Sequence, residues 1–160
     1  MLSNLIMELK EALKRAADEP KVKEMEKKGY FLNSGTCIMP ANDQETKEWI
    51  ISYYSPSDNK VFTVSVGAST RVGEPADPNR PSTEKLDIGK LEADAKTVLQ
   101  NATKEFITYG HPLSQTIMNV QNSGWTVNFI TRTLQLVSVT VGTKEGKVTG
   151  SKIESLTREA

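Results

Sequence analysis

Cys37 and His111 are the single cysteine and the single histidine of the 160-residue chain. A structural zinc site takes four Cys or His ligands, so one chain of this composition cannot assemble such a site. A Cys–His nucleophilic pair needs both groups within hydrogen-bond reach. Cys37 instead sits in the apolar run Cys-Ile-Met, where cysteine behaves as a small buried hydrophobe, and His111 follows Gly110, where a solvated cap is the ordinary role. Glu24/Glu26 and Glu92/Asp94 stand two apart on expected helices, a spacing that does not place paired carboxylates on one face. Gly142-Thr-Lys-Glu-Gly146 follows one strand candidate and leads into another, so it reads as a hairpin turn and not as a phosphate cradle before a helix. Asn101-Ala-Thr103 has the form of a glycosylation acceptor but falls inside an expected helix. Binding without catalysis, metal or cofactor is the chemistry this residue set favours.

The polar residues that could bind lie in alternating runs. Ser52, Thr63 and Ser65 in the first half of the chain, with Thr126, Asn128, Ser138 and Thr140 in the second, fall on the strand faces opposite the apolar positions. Tyr54 and Ile130 are the large residues at equivalent places on that otherwise polar surface. A sheet covered by helices on one side only would leave this face, or an exposed edge strand, open to a protein or peptide partner, with main-chain hydrogen bonds supplying affinity. The bland alternative is a solvated antiparallel face. Trp49 and Trp125 begin strands whose next same-face residues are Ile51/Tyr53 and Val127/Phe129, a core pattern and not a ligand-stacking one.

The elements that would hold this surface can be read from periodicity. Leu2, Ile6, Leu9, Leu13 and Ala16 form one stripe of an amphipathic helix with Ser3 as its N-cap. Pro20 suits the first turn of a second short helix that ends at Gly29. Strands are expected at about 30–39, 47–55 and 60–68, and the prolines of the 67–81 stretch deny backbone donors there. Ile88, Leu91, Ala95, Val98, Leu99, Ala102 and Phe106 share one face of a further helix running to about Gly110. Strands follow at about 114–121, 124–132 and 134–142, then a short one from Lys147. Leu134 and Leu136 alternate out of step with Val137, Val139 and Val141, which predicts a bulge near Leu136.

Trp49 to Gly67 and Trp125 to Gly142 align with one deletion in the loop, and Ile38-Met39 and Ile117-Met118 lie at matching places upstream. The expected fold is therefore α+β, as two tandem repeats of an N-terminal helix followed by a three- to four-stranded antiparallel meander. The repeats would span 1–73 and 86–157, joined by a Pro-rich linker at 74–85 and packed as one body. Gly124-Trp125-Thr-Val-Asn-Phe129, Val137-Ser-Val-Thr-Val141 and Thr143-Lys-Glu-Gly-Lys-Val148 together resemble the PepSY family, with a weaker version in the first half. The resemblance implies a non-enzymatic α+β module of the kind found in protease propeptides and cell-envelope proteins, where it is thought to restrain peptidases.

Twenty basic residues balance twenty acidic ones, and neither half carries a field that would attract phosphates, so nucleic acid is not an expected partner. With one cysteine no intramolecular disulfide is needed, and charges interrupt the apolar N-terminal run. These features predict a cytoplasmic protein with no membrane partner. Two other readings remain beside the peptide-binding module. One is a small-molecule carrier or enzyme with a pocket between helix and sheet; the other is a homodimer whose sheets pair across a two-fold axis.

Overall fold

The computed structural model describes residues 7–41, 48–78 and 84–157. Its elements are α1 (Leu9–Ala17), α2 (Pro20–Lys27), β1 (Phe31–Pro40), β2 (Trp49–Ser55), β3 (Lys60–Val66), β4 (Thr70–Val72), α3 (Ala95–Ile107), β5 (Leu113–Gln121), β6 (Gly124–Thr131), β7 (Gln135–Val141) and β8 (Val148–Ser155), with a 3-10 turn at Ile88–Lys90. The strands form one eight-stranded sheet in the order β4-β3-β2-β1-β5-β6-β7-β8, and every pairing is antiparallel.

That single sheet overturns the expectation of two tandem helix-plus-meander repeats. β1 and β5 pair from Gly35↔Val120 to Pro40↔Gln115, which fuses the two meanders at the middle of the sheet. A separate four-stranded meander would leave the outer backbone groups of its first strand unpaired, and the β1–β5 ladder satisfies both rows at once. The helices are not copies either: two short ones, α1 and α2, precede β1, whereas the 13-residue α3 precedes β5. The α+β content and the antiparallel pairing do stand.

Strict alternation sends one face of every central strand into the core. Cys37, Trp49, Ile51, Phe62, Val64, Met118, Val127, Phe129 and Val139 are all buried, beneath Leu9, Ala12 and Ala16 of α1, Val22 and Met25 of α2, and Val98, Leu99 and Phe106 of α3. Each such side chain contributes roughly 1.5–3 kcal/mol on transfer from water. Trp49 and Trp125 meet edge-on across the central pair with ring centroids 6.3 Å apart. Gly35 makes room for α1, since a Cβ there would lie 3.1 Å from Leu9 Cδ1.

Several boundaries differ from the periodicity. Leu2, Ser3 and Ile6 lie outside the described residues. The third helix begins at Ala95 and not at Ile88, because Asp94 Oδ1 accepts from the Thr97 amide at 2.8 Å and caps it there. Ile88 instead belongs to the preceding 3-10 turn, where Asp87 Oδ1 accepts from the Gly89 amide. No bulge occurs at Leu136: the β6–β7 register is unbroken from Trp125↔Val141 to Ile130↔Leu136. Leu134 lies in the hairpin turn with φ 58°, which absorbs the apparent change of phase, and the irregularity falls between Thr140 and Val141 against β8. Among the described residues no helix is long and apolar enough to cross a membrane.

Candidate functional site

The helix contacts concentrate on one side of the sheet: α1 meets β2 and β3, and α3 meets β6, β7 and β8. On the opposite side the side chains run in cross-strand rows set by the register. Ile38, Ile117, Asn128, Ser138 and Lys152 make one row, and Thr36, Asn119, Thr126, Thr140 and Gly150 the next. A third row holds Pro40, Gln115, Ile130, Leu136 and Glu154. The side chains of the central strands are half-buried by one another, so the face is a shallow trough rather than a flat solvated plane.

The trough deepens into a groove of about 600 Å³ over β5, β6 and β7. Ile117, Ile130, Leu136 and Leu156 supply apolar walls, while Asn119, Gln121, Thr126 and Asn128 supply the polar floor. Asn119 Nδ2 donates to Thr36 Oγ1 at 2.7 Å, which ties the floor across the β1–β5 pair. Asn128 Oδ1 is buried and accepts no hydrogen bond from the described residues. An unsatisfied buried acceptor costs roughly 1–3 kcal/mol.

The residues singled out from sequence fall in different places. Thr126, Asn128 and Ile130 line the groove. Ser138 pairs with Asn128 beside it, and Thr140 is engaged at the β8 bulge, accepting from Thr149 Oγ1 at 3.0 Å and donating to the Gly150 carbonyl at 3.3 Å. Ser52 and Thr63 line a second recess of about 360 Å³ with Ser34, Glu74, Asp77 and Gln121. Gln121 borders both recesses. Ser65 lies further along β3, opposite Ile50 and Arg71. Tyr54 is buried, meets the Phe31 ring edge-on, and donates to Asn59 Oδ1 at 3.1 Å, so it cannot serve as an accessible anchor.

Ile117, Asn119 and Gln121 of β5 and Leu136 of β7 join this face through strand pairing, which alternation along a single strand does not specify. The signal for the shared facing of the β5 residues was present in the strict alternation of Gln115, Ile117, Asn119 and Gln121 with Thr116, Met118 and Val120.

The groups with chemical potential lie elsewhere. Burial, reinforced by the charge of Glu48, pushes the Cys37 thiol up to about 12, a value that suppresses thiolate formation at neutral pH. Cys37 pairs with Met118 on the core face, whereas His111 precedes the start of β5 at Leu113. Five steps along the strand separate Met118 from Leu113, roughly 16 Å at the usual rise, so the two groups cannot meet. Among the described residues, the carboxyl groups whose titration is displaced, Asp77 and Asp94, are both held below their ordinary range, by the hydrogen bond from Lys60 and by those from Thr97. That is the opposite of a carboxyl tuned as a general acid. Among the described residues no group of three or more His, Cys, Asp or Glu is placed to hold a metal ion. A further recess, about 780 Å³ between the start of β1 and the 85–90 segment, is bordered by Glu26, Asp87, Lys85 and Lys90 with no unpartnered buried group among them.

No family model and no curated protein sequence matches the chain. In fold it is similar to the crystal structure of a putative lipoprotein from Clostridium difficile 630, with a TM-score of 0.51 and 12% identity over 84% of this chain and 89% of that one. At that identity the likeness concerns the fold alone.

Proposed function

We propose that the chain is a non-catalytic binding module whose uncovered sheet face receives an extended segment of a protein or peptide. Asn128 carries this reading: it lines a groove walled by Ile117, Ile130, Leu136 and Leu156, and its carbonyl oxygen has no hydrogen-bond partner among the described residues. The groove lining bears no charged side chain, so the favoured segment is neutral, with apolar side chains and a free N–H. β6 and β7, the strands that bear the PepSY-like residues, supply much of the groove. A surface segment of a peptidase is one partner of this chemical class.

Selection of random peptides on the immobilised chain, counter-selected on Thr126→Lys, tests the reading. Enriched neutral apolar peptides that bind the parent and lose at least about tenfold in affinity on the variant support it. Peptides that bind both proteins equally, or no enrichment on the parent, sink it.

A further inference from the structure

We infer that β8 is a self-complementary edge through which two copies of this chain pair antiparallel, about a two-fold axis at Ile153. β8 is eight residues long, ends the sheet and is exposed along nearly its whole length. The parity of its backbone is fixed from both sides. Leu156 N–H donates to the Leu134 carbonyl, and Gln135 N–H turns the other way, to Thr131 Oγ1. Because amides alternate along an antiparallel strand, those of Lys152 and Glu154 face β7 while those of Ser151, Ile153 and Ser155 face outward, free to pair.

Side chains then select the register. With the axis at Ile153, Lys152 of each copy lies directly opposite Glu154 of the other, and both are exposed on the uncovered face. Ile153, 39% exposed, meets Ile153 of the second copy on the helix side, which removes an apolar side chain from water. Leu156, 47% exposed, falls opposite Gly150 of the second copy, whose missing side chain leaves room for it. Moving the axis by one residue is unfavourable in both directions: at Lys152 it sets lysine against lysine, and at Glu154 glutamate against glutamate. Exposed edge strands are commonly guarded by a lone lysine. Here the guard at Lys152 carries its own counter-charge two residues on, so it repels other registers and admits this one.

A single strand pair is a small interface, so the dimer is expected to be weak and concentration-dependent. Sedimentation velocity of the full chain from micromolar to millimolar concentration tests it. The mass should rise from 17.7 kDa toward twice that value. Lys152→Glu and Glu154→Lys, each alone, should raise the concentration at half-dimerisation by at least about tenfold, and the two together should restore it. Both side chains are exposed, so unchanged circular dichroism should accompany the loss. A parent chain that stays monomeric at millimolar concentration, a dimer indifferent to the single changes, or a charge swap that fails to restore pairing would each overturn the inference.

Discussion

The two ends of the sheet are built from strands of similar sequence yet finish in opposite ways. At the β4 end a three-residue strand is followed by residues that stay on β3: Gly73 N–H donates to the Thr63 carbonyl, and Val61 and Ala76 exchange bonds of 2.9 and 2.8 Å. Pro75 and Pro78 in that segment offer no donors, and Lys60 grips Asp77 at 2.6 Å, which together blunt the edge. At the β8 end an eight-residue strand leaves its outer amides bare. The difference teaches that the first half covers its edge with further backbone pairing and prolines, whereas the second leaves a long exposed strand whose guard is the Lys152 charge.

A second contrast lies in the core. Trp49 Nε1 donates to the Met7 carbonyl at 2.7 Å, whereas Trp125 Nε1, also buried, has no partner among the described residues. Among the described residues, the buried side-chain atoms without a protein partner, Trp125 Nε1 and Asn128 Oδ1, both lie in the half with α3.

The largest test of the comparison is whether the halves are thermodynamically separate. Trp49→Ala and Trp125→Ala should each cost about 3–5 kcal/mol, and each should shift one cooperative urea transition monitored by far-ultraviolet dichroism. Two resolved transitions in either variant would show that the β1–β5 pair does not couple the halves. Next in size, Trp49→Phe should destabilise more than Trp125→Phe, by about 1 kcal/mol, because only the first change removes a made hydrogen bond. Equal losses in denaturant titrations would show that the asymmetry carries no energy.

Smaller effects probe the junction at α3. Glu8 precedes α1 yet its carboxylate accepts from the Ala95 and Lys96 amides at 2.8 and 3.1 Å, so one acidic side chain from the first half caps the helix of the second. Glu8→Ala should cost about 1 kcal/mol in thermal unfolding, and no loss would refute the cross-half cap. Asp94→Asn tests the neighbouring cap through pH. The Asp94 carboxyl is held below its ordinary 3.8 by the Thr97 hydrogen bonds, so its contribution is present above that value and is lost as pH falls through the lower folded one. The stability gap between parent and variant should therefore narrow below pH 3.8, and a gap constant through that range would contradict the assignment. Least perturbing of all, Cys37 in the folded chain should react with a thiol reagent at mildly alkaline pH no faster than the chain opens, since burial pushes its thiol up to about 12. Immediate labelling would mean that the core face of β1 is accessible.

Much of the local structure was legible. Alternation at Trp49–Tyr53 and Trp125–Phe129 placed both tryptophans in the core, and Pro20 opens α2 as its fixed φ suggests. The helix expected from Ile88 was overextended because an apolar stripe has no marker for where a cap intervenes, and the Glu92/Asp94 spacing alone does not reveal that Asp94 caps α3. Of the candidate face, Thr126, Asn128 and Ile130 were found from alternation, while Tyr54 was misjudged because its burial comes from Phe31 and Asn59 at the β1 start and the β2–β3 turn.

Side-chain period, turn chemistry and charge balance are local quantities, and the sequence by itself determined them: which residues face inward along each strand, where hairpins reverse, and that no bank of basic residues awaits a phosphate. Partner choice between strands is not local. Backbone hydrogen bonds carry no residue label, so whether β1 pairs with β5 or remains an edge depends on which arrangement buries both rows of amides over one core, and only the tertiary structure decided it. That same pairing assembled Thr36, Asn119 and Asn128 into one surface and left β8 at its open end.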